Sequence, residues 1–301
     1  MEGIEEKALV RIIHAFFKLM GFFPKALSRG VCSILGLVFF HLDRRHRKIV
    51  LTNLTRAFSR TMTQAEIYRL GRMVFENLCQ IPFEMGFFLR LNHRNFQKYF
   101  SFIGFSNLDS AYQKNKGVLC LTAHIGNWEL LSGIPAMLGY PLSMVVRPLD
   151  FKPMDNFMKK FRTRSGGKLI PKNSSMRMIL NSLKRGELVG MLLDQNVDWY
   201  DGVFVRYFGR PACTNKGLAL VALKTGAPVV PVFLIRDGKR FILHCEPQVS
   251  LVRTGDKTKD IEINTERFTS IIESFVRRYP EQWFWVHQRW KTRPYHKWPK
   301  D

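Results

Sequence analysis

Residues 116–131, KGVLCLTAHIGNWELL, limit the possible folds of this chain more than any other stretch. The largely apolar run 118–123 has the length of a buried strand. His124, Gly126 and Asn127 follow, and then Leu130, Leu131, Ile134, Met137 and Leu138 recur at helical spacing. The pattern predicts strand, tight turn and helix. Gly126 supplies the turn, Asn127 is a candidate N-cap, and Glu129 falls in the first helical turn. Pro135 lacks the N–H that would bond back to Leu131, so the helix is expected to kink or stop early. Five residues separate His124 from Glu129, about 140° apart on a regular helix. Their contact therefore requires His124 to lie outside the helix.

Residues alone leave two readings open. In one, His124 is a general base with Glu129 holding its other ring nitrogen. In the other, the histidine merely caps a helix whose dipole Glu129 complements. With 8 His and 24 acids in the chain, the spacing recurs by chance. His296 and Asp301 repeat it without a preceding strand or glycine turn.

The HIGNWE block resembles the first motif of the lysophospholipid acyltransferase superfamily, and specifically the late acyltransferases of bacterial lipid A biosynthesis. Further blocks are similar in order: VRP at 146–148, FRTRSGG at 161–167, LDQN at 193–196, GVFVRYFG at 202–209 with ACT at 212–214, and PEQWFWVHQRWKTRP at 280–294. The resemblance spans nearly the whole chain. It implies transfer of a fatty acyl group from a thioester to a hydroxyl of a lipid acceptor. His124 would be the base and Glu129 its partner, with the nucleophile supplied by the substrate. Asn127, Arg147, Arg164 and Asp194 become candidates for substrate or oxyanion binding, and Arg162 for a phosphate contact. Asp194 is equally placed to orient Arg147 or His124, or to cap a turn. No cofactor or metal is expected. The chain has no Gly-x-Ser-x-Gly elbow, no His-Glu-x-x-His pair and no phosphate-binding glycine loop.

Charge narrows the partners. Lys and Arg number 47 against 24 acids, a net charge of +23. That favours anionic partners: a membrane surface, a phosphorylated lipid, acyl carrier protein or acyl-CoA. The basic residues are spread over the chain with no nucleic-acid module, which argues against nucleic acid. Five scattered cysteines suggest reduced, cytosol-facing thiols, and the resemblance implies the cytoplasmic face of a bacterial inner membrane. Residues 8–23 and 26–42 are apolar but interrupted by charges, and Arg44, Arg45, Arg47 and Lys48 follow at once. Residues 1–45 are therefore expected to form a membrane-anchoring helical segment, with 46–301 as the acyltransferase domain.

The expected fold class is α/β, a central mixed β-sheet flanked by helices, with an N-terminal membrane-associating helical region. Strands are predicted at 99–103, 118–123, 142–146, 168–171, 188–193 and 229–235, with an antiparallel one at 240–252. Helices are predicted at 127–139, 153–163, 174–185 and 213–225, with a long amphipathic one through Phe268–Tyr279. Thr63 is expected to cap a helix running through Ile81. Trp283, Trp285 and Trp290 beside Arg289 and Lys291 suit either a membrane rim or closure of the core. Non-catalytic lipid binding, hydrolysis with water as acceptor, and acyl transfer to a lysophospholipid, glycolipid or aminolipid remain alternatives.

Overall fold

The computed structural model describes residues 4–172, 175–238 and 240–294. The pair His296 and Asp301 lies outside them.

Four helices open the chain: α1 (Ile4–Met20), α2 (Lys25–Leu42), α3 (Arg44–Phe58) and α4 (Gln64–Phe88). Thr63 and Glu66 close a reciprocal capping box at the start of α4. Both N-terminal helices dock on α4 through close backbone approach. A Cβ on Gly86 would sit 2.0 Å from the Phe17 carbonyl, and one on Gly36 would sit 2.5 Å from Glu76 Cα. Their outer faces carry Leu9, Ile12, Phe16, Leu19, Ile34, Phe39 and Leu42, all exposed. Only α2 is long and apolar enough to cross a membrane, among the described residues.

The sheet contains β1 (Phe100–Ile103), β2 (Val118–Thr122), β3 (Leu142–Val146), β4 (Lys168–Pro171), β5 (Leu188–Leu192), β8 (Val229–Asp237) and β9 (Arg240–Cys245), in the order β1-β9-β8-β2-β5-β3-β4. Only the β8–β9 pair is antiparallel, so the sheet is mixed, and helices flank it. Alternation along β2 sends Leu119 and Leu121 into one core, and Val118 and Cys120 into the other. The remaining helices are α5 (Phe105–Tyr112), α6 (Ile134–Met137), α7 (Lys152–Thr163), α8 (Ser175–Lys184), α9 (Gly217–Thr225) and α10 (Lys257–Arg278).

Three expectations need correction. The helix predicted over 127–139 is a 3₁₀ turn at Trp128–Ser132 followed by the single turn of α6, with Pro135 at its start. Residues 213–215 of the helix predicted over 213–225 are strand: β6 (Gly202–Tyr207) and β7 (Arg210–Asn215) form a separate hairpin. Phe208 and Gly209 link them with φ of 52° and 67°, a turn whose Phe hides it from sequence reading. The last strand ends at Cys245, two residues before Pro247, which has no ladder donor.

Candidate active site

Parallel pairing of β2 with β5 sets Thr122 opposite Leu192, so two residues on, His124 comes opposite Asp194 at the C-terminal sheet edge. The His124 ring Nδ1 lies 2.8 Å from Asp194 Oδ1, and its backbone N–H donates to Oδ2 at 2.9 Å. The Trp283 indole donates to the same Oδ2 at 2.7 Å. Burial alone would push the Asp194 carboxyl up. The His124 charge and the hydrogen bonds from His124 and Trp283 outweigh it and hold the acid at about 2. An ionised Asp194 favours the tautomer with the proton on Nδ1, so that in the neutral ring Nε2 carries the lone pair. The Gln195 amide approaches Nε2 at 3.4 Å. Trp128 and Phe284 flank the ring with centroids at 5.0 and 5.9 Å.

Glu129 is not the partner of His124. Both its oxygens take hydrogen bonds from Arg162, at 2.8 and 2.7 Å, and Trp128 donates to it at 3.1 Å. The 3₁₀ turn carries the side chain away from the histidine and towards α7, where Arg162 waits in the cleft wall. The acid bonded to the ring comes from the sheet register, 70 residues downstream.

Asn127 and Arg164 depart from the expected substrate contacts. Asn127 is fully buried, makes no cap hydrogen bond and does not line the cleft; its amide donates to Glu84 at 2.9 Å. Glu84 also pairs with Arg236 of β8, which in turn donates to Asn77 and, at 3.2 Å, to the Gly126 carbonyl. This buried network holds the turn from behind. Gly126 itself has φ 62°, and a Cβ there would strike the Leu234 carbonyl at 1.9 Å, so glycine is required on both counts. Arg164 donates to the Phe88 carbonyl at 3.0 Å, outside the cleft. Arg147 stands exposed at the end of β3 and lines the cleft mouth.

His124, Glu129 and Arg162 border a cleft of about 990 Å³. Its polar end holds Arg147, Lys172, Gln195, Asn196 and His287. Its inner wall is apolar, with Cys120, Leu138, Leu142, Leu188, Val232 and Leu243. Sequence reasoning missed Gln195, His287 and the role of Trp283. His287 accepts from the Asn196 N–H at 2.7 Å; burial, partly opposed by Asp194, pushes its pKa down to about 4 and keeps it neutral. The LDQN and C-terminal blocks flagged these residues without revealing their contacts.

The C-terminal tryptophans close the core and form no membrane rim: Trp283, Trp285 and Trp290 are all buried. Arg289 is buried too, donating to the Cys213 carbonyl at 2.9 Å and to Thr214 at 2.5 Å, and stacking over Tyr207. It fastens the β6–β7 hairpin to the C-terminal segment. Likewise, Phe88 is buried against Phe100 and Phe161, with Phe87 half-buried on Tyr99.

A mixed α/β sheet with an acid-held histidine at its strand ends, beside a cleft with an apolar inner wall, is an arrangement that can pair proton transfer with binding of an apolar ligand. The chain belongs to the bacterial lipid A biosynthesis acyltransferase family, whose profile matches residues 4–292. It is 26% identical over 282 residues to a lipid A biosynthesis acyltransferase of Haemophilus influenzae, covering 92% of this chain and 86% of that one. A lipid A biosynthesis lauroyltransferase of Escherichia coli K12 is 27% identical over 86% of this chain and 84% of its own length. A palmitoleoyltransferase of the same pathway and organism is 29% identical, over 66% of this chain and 63% of its own.

Proposed function

We propose that this protein is a membrane-associated O-acyltransferase that moves a fatty acyl chain from a thioester to a hydroxyl of a lipid A-type acceptor. The observation that carries the reading is His124 with its Nδ1 bound to ionised Asp194, set at the mouth of an apolar cleft. The acyl chain lies along the inner wall, with the thioester carbonyl near His124. Nε2 takes the proton of the acceptor hydroxyl as its oxygen attacks the carbonyl carbon. The imidazolium, stabilised by Asp194, then returns that proton to the departing thiol as the C–S bond breaks. Gln195 leaves Nε2 as the acceptor arrives. Arg147 and Arg162 suit the acceptor's anionic groups.

Acyl carrier protein is the preferred donor in this reading, because an acidic protein presents many charges to a +23 surface. Acyl-CoA is the alternative. Residues 1–45 act as the anchor and 46–301 as the acyltransferase domain, at the cytoplasmic face of the inner membrane; deleting 1–45 should release the protein from the pelleted membrane. The deciding experiment measures thioester consumption with carrier-linked and CoA donors, with and without a lipid A precursor, for the native chain and His124→Ala. Turnover should depend on the acceptor and fall at least ~10²-fold in the variant. Near-native turnover in His124→Ala would sink the mechanism. Consumption independent of acceptor would make the protein a hydrolase.

A further inference from the structure

Large apolar side chains gather, exposed, around the cleft entrance. Leu149 and Phe151 lie between β3 and α7, Met176 at the start of α8, and Trp199 and Tyr200 between β5 and β6; each is 39–59% exposed. Leu149 and Met176 line the cleft itself, while Trp199 and Tyr200 sit between its lining residues Val197 and Asp201. The lips are tied together by polar contacts: Lys172 stands 3.9 Å from the Asp201 carboxylate, and Lys216 donates to the Tyr200 carbonyl at 2.8 Å. Exposed apolar residues scattered singly are ordinary; five ringing the mouth of an apolar cleft are not.

Two observations select the partner. Charge at the rim is mixed and net basic, with Arg147, Lys152, Lys172, Arg177 and Lys216 beside Asp150, Asp198 and Asp201, and cations set among apolar tips suit anionic lipid headgroups over an apolar layer. The rim is also linked to α1, which packs on the helix that Phe151 precedes. The Glu6 carboxylate accepts from Asn156 of α7 at 2.9 Å, and Asn156 lies five residues, about 7.5 Å of helix, beyond Phe151. The exposed Leu9, Ile12, Phe16 and Leu19 of α1 are thus joined through α7 to the mouth.

We infer that the cleft mouth is a bilayer-inserting rim, with Phe151, Trp199 and Tyr200 reaching past the headgroups, so that a long-chain lipid enters the cleft without crossing water. The partner is the lipid bilayer, a choice that rests on the acyl-transfer reading only in supposing a lipid substrate. Aromatic tips at a water–lipid boundary suit this role.

The test follows Trp199 emission, isolated as the difference between the full-length protein and Trp199→Phe. The probe is a phosphatidylcholine vesicle, with and without phosphatidylglycerol, carrying brominated acyl chains. The Trp199 component should fall at least about twofold relative to unbrominated vesicles and stay quenched at about 1 M NaCl, where Coulombic binding is screened. Phe151→Ser combined with Tyr200→Ser should relieve that quenching while the protein still pellets with vesicles through α1 and α2. Emission indifferent to bromine would overturn the rim. So would emission that responds instead to acyl carrier protein, or to self-association in the absence of lipid. Quenching needs no turnover: quenching without acyl transfer keeps the rim and rejects the function, and activity without quenching does the reverse.

Discussion

The turns after β2 and β5 end side by side at one sheet edge, and each carries one buried carboxylate. Asp194 accepts three hydrogen bonds, two from His124 and one from Trp283, with its side chain 1% exposed. Glu129, five residues from the same histidine, instead chelates Arg162. The acid that is near in sequence serves the cleft wall, and the one across the sheet serves the base. Parallel register fixes the second pairing, whereas a five-residue turn can take many paths. A spacing motif therefore marks where chemistry gathers without saying which groups touch.

The largest expected effect separates the two acids by rate. In Asp194→Asn an amide faces both the His124 ring and its backbone N–H, and the favoured tautomer is lost. Turnover should fall by on the order of 10³–10⁴. Steady-state kinetics of the purified variant check this. If Asp194→Asn retained its rate while Glu129→Gln lost it, the assignment would be reversed.

Glu129→Gln should act differently. It leaves the Arg162 guanidinium without its carboxylate partner, and both side chains are largely buried, at 16% and 11% exposure. Breaking such a pair costs roughly 3–5 kcal/mol of stability. Denaturant midpoints should drop and KM for the acceptor should rise. Glu129→Gln combined with Arg162→Met should recover stability, because neither charge then remains stranded.

Much of the fold was legible. The strands at 142–146 and 168–171 and the Thr63 cap match what hydrophobic period and cap chemistry dictate. The β6–β7 hairpin was not, because Phe208 occupies a left-handed turn position where Asn or Gly would have announced it. At the site, His124 and the need for Gly126 were readable from a strand followed by a glycine turn. The indole on Asp194 and the Arg236–Glu84 support behind Asn127 were not. Both join segments far apart in sequence, 89 and 152 residues respectively, and no local pattern reports such contacts.

Acid titration of stability sharpens the comparison further. Asp194 is held at about 2 in the folded chain against an ordinary 3.8, and Glu187, bonded by Arg185, Lys168 and Ser143, at about 2 against 4.5. Depressed acids stabilise the fold above their unfolded values, and that contribution is lost as pH falls from about 4.5 towards 2. Asp194 contributes on the order of 2 kcal/mol to this loss. Urea unfolding at several pH values should show a shallower decline in Asp194→Asn than in the native chain. A parallel decline would mean that the carboxylate is not held as described.

The smallest effect concerns Thr122, one pleat before His124 on the same face of β2. Its hydroxyl is buried, lines the cleft and has no hydrogen-bond partner. Leaving a buried hydroxyl unsatisfied costs roughly 1–3 kcal/mol, so the group is expected to find its partner in the bound substrate. The thioester carbonyl or the acceptor oxygen, both brought to His124, are within the chemistry it can serve. Thr122→Val keeps the shape and removes the donor. If the hydroxyl bonds substrate, kcat/KM should fall about 5- to 10-fold, equivalent to roughly 1–1.4 kcal/mol, while the free protein becomes slightly more stable because the orphaned group is gone. Thr122→Ser, which restores the donor, should recover the rate. A gain in stability with unchanged kcat/KM would show that the hydroxyl is a cost carried by the strand and takes no part in the reaction.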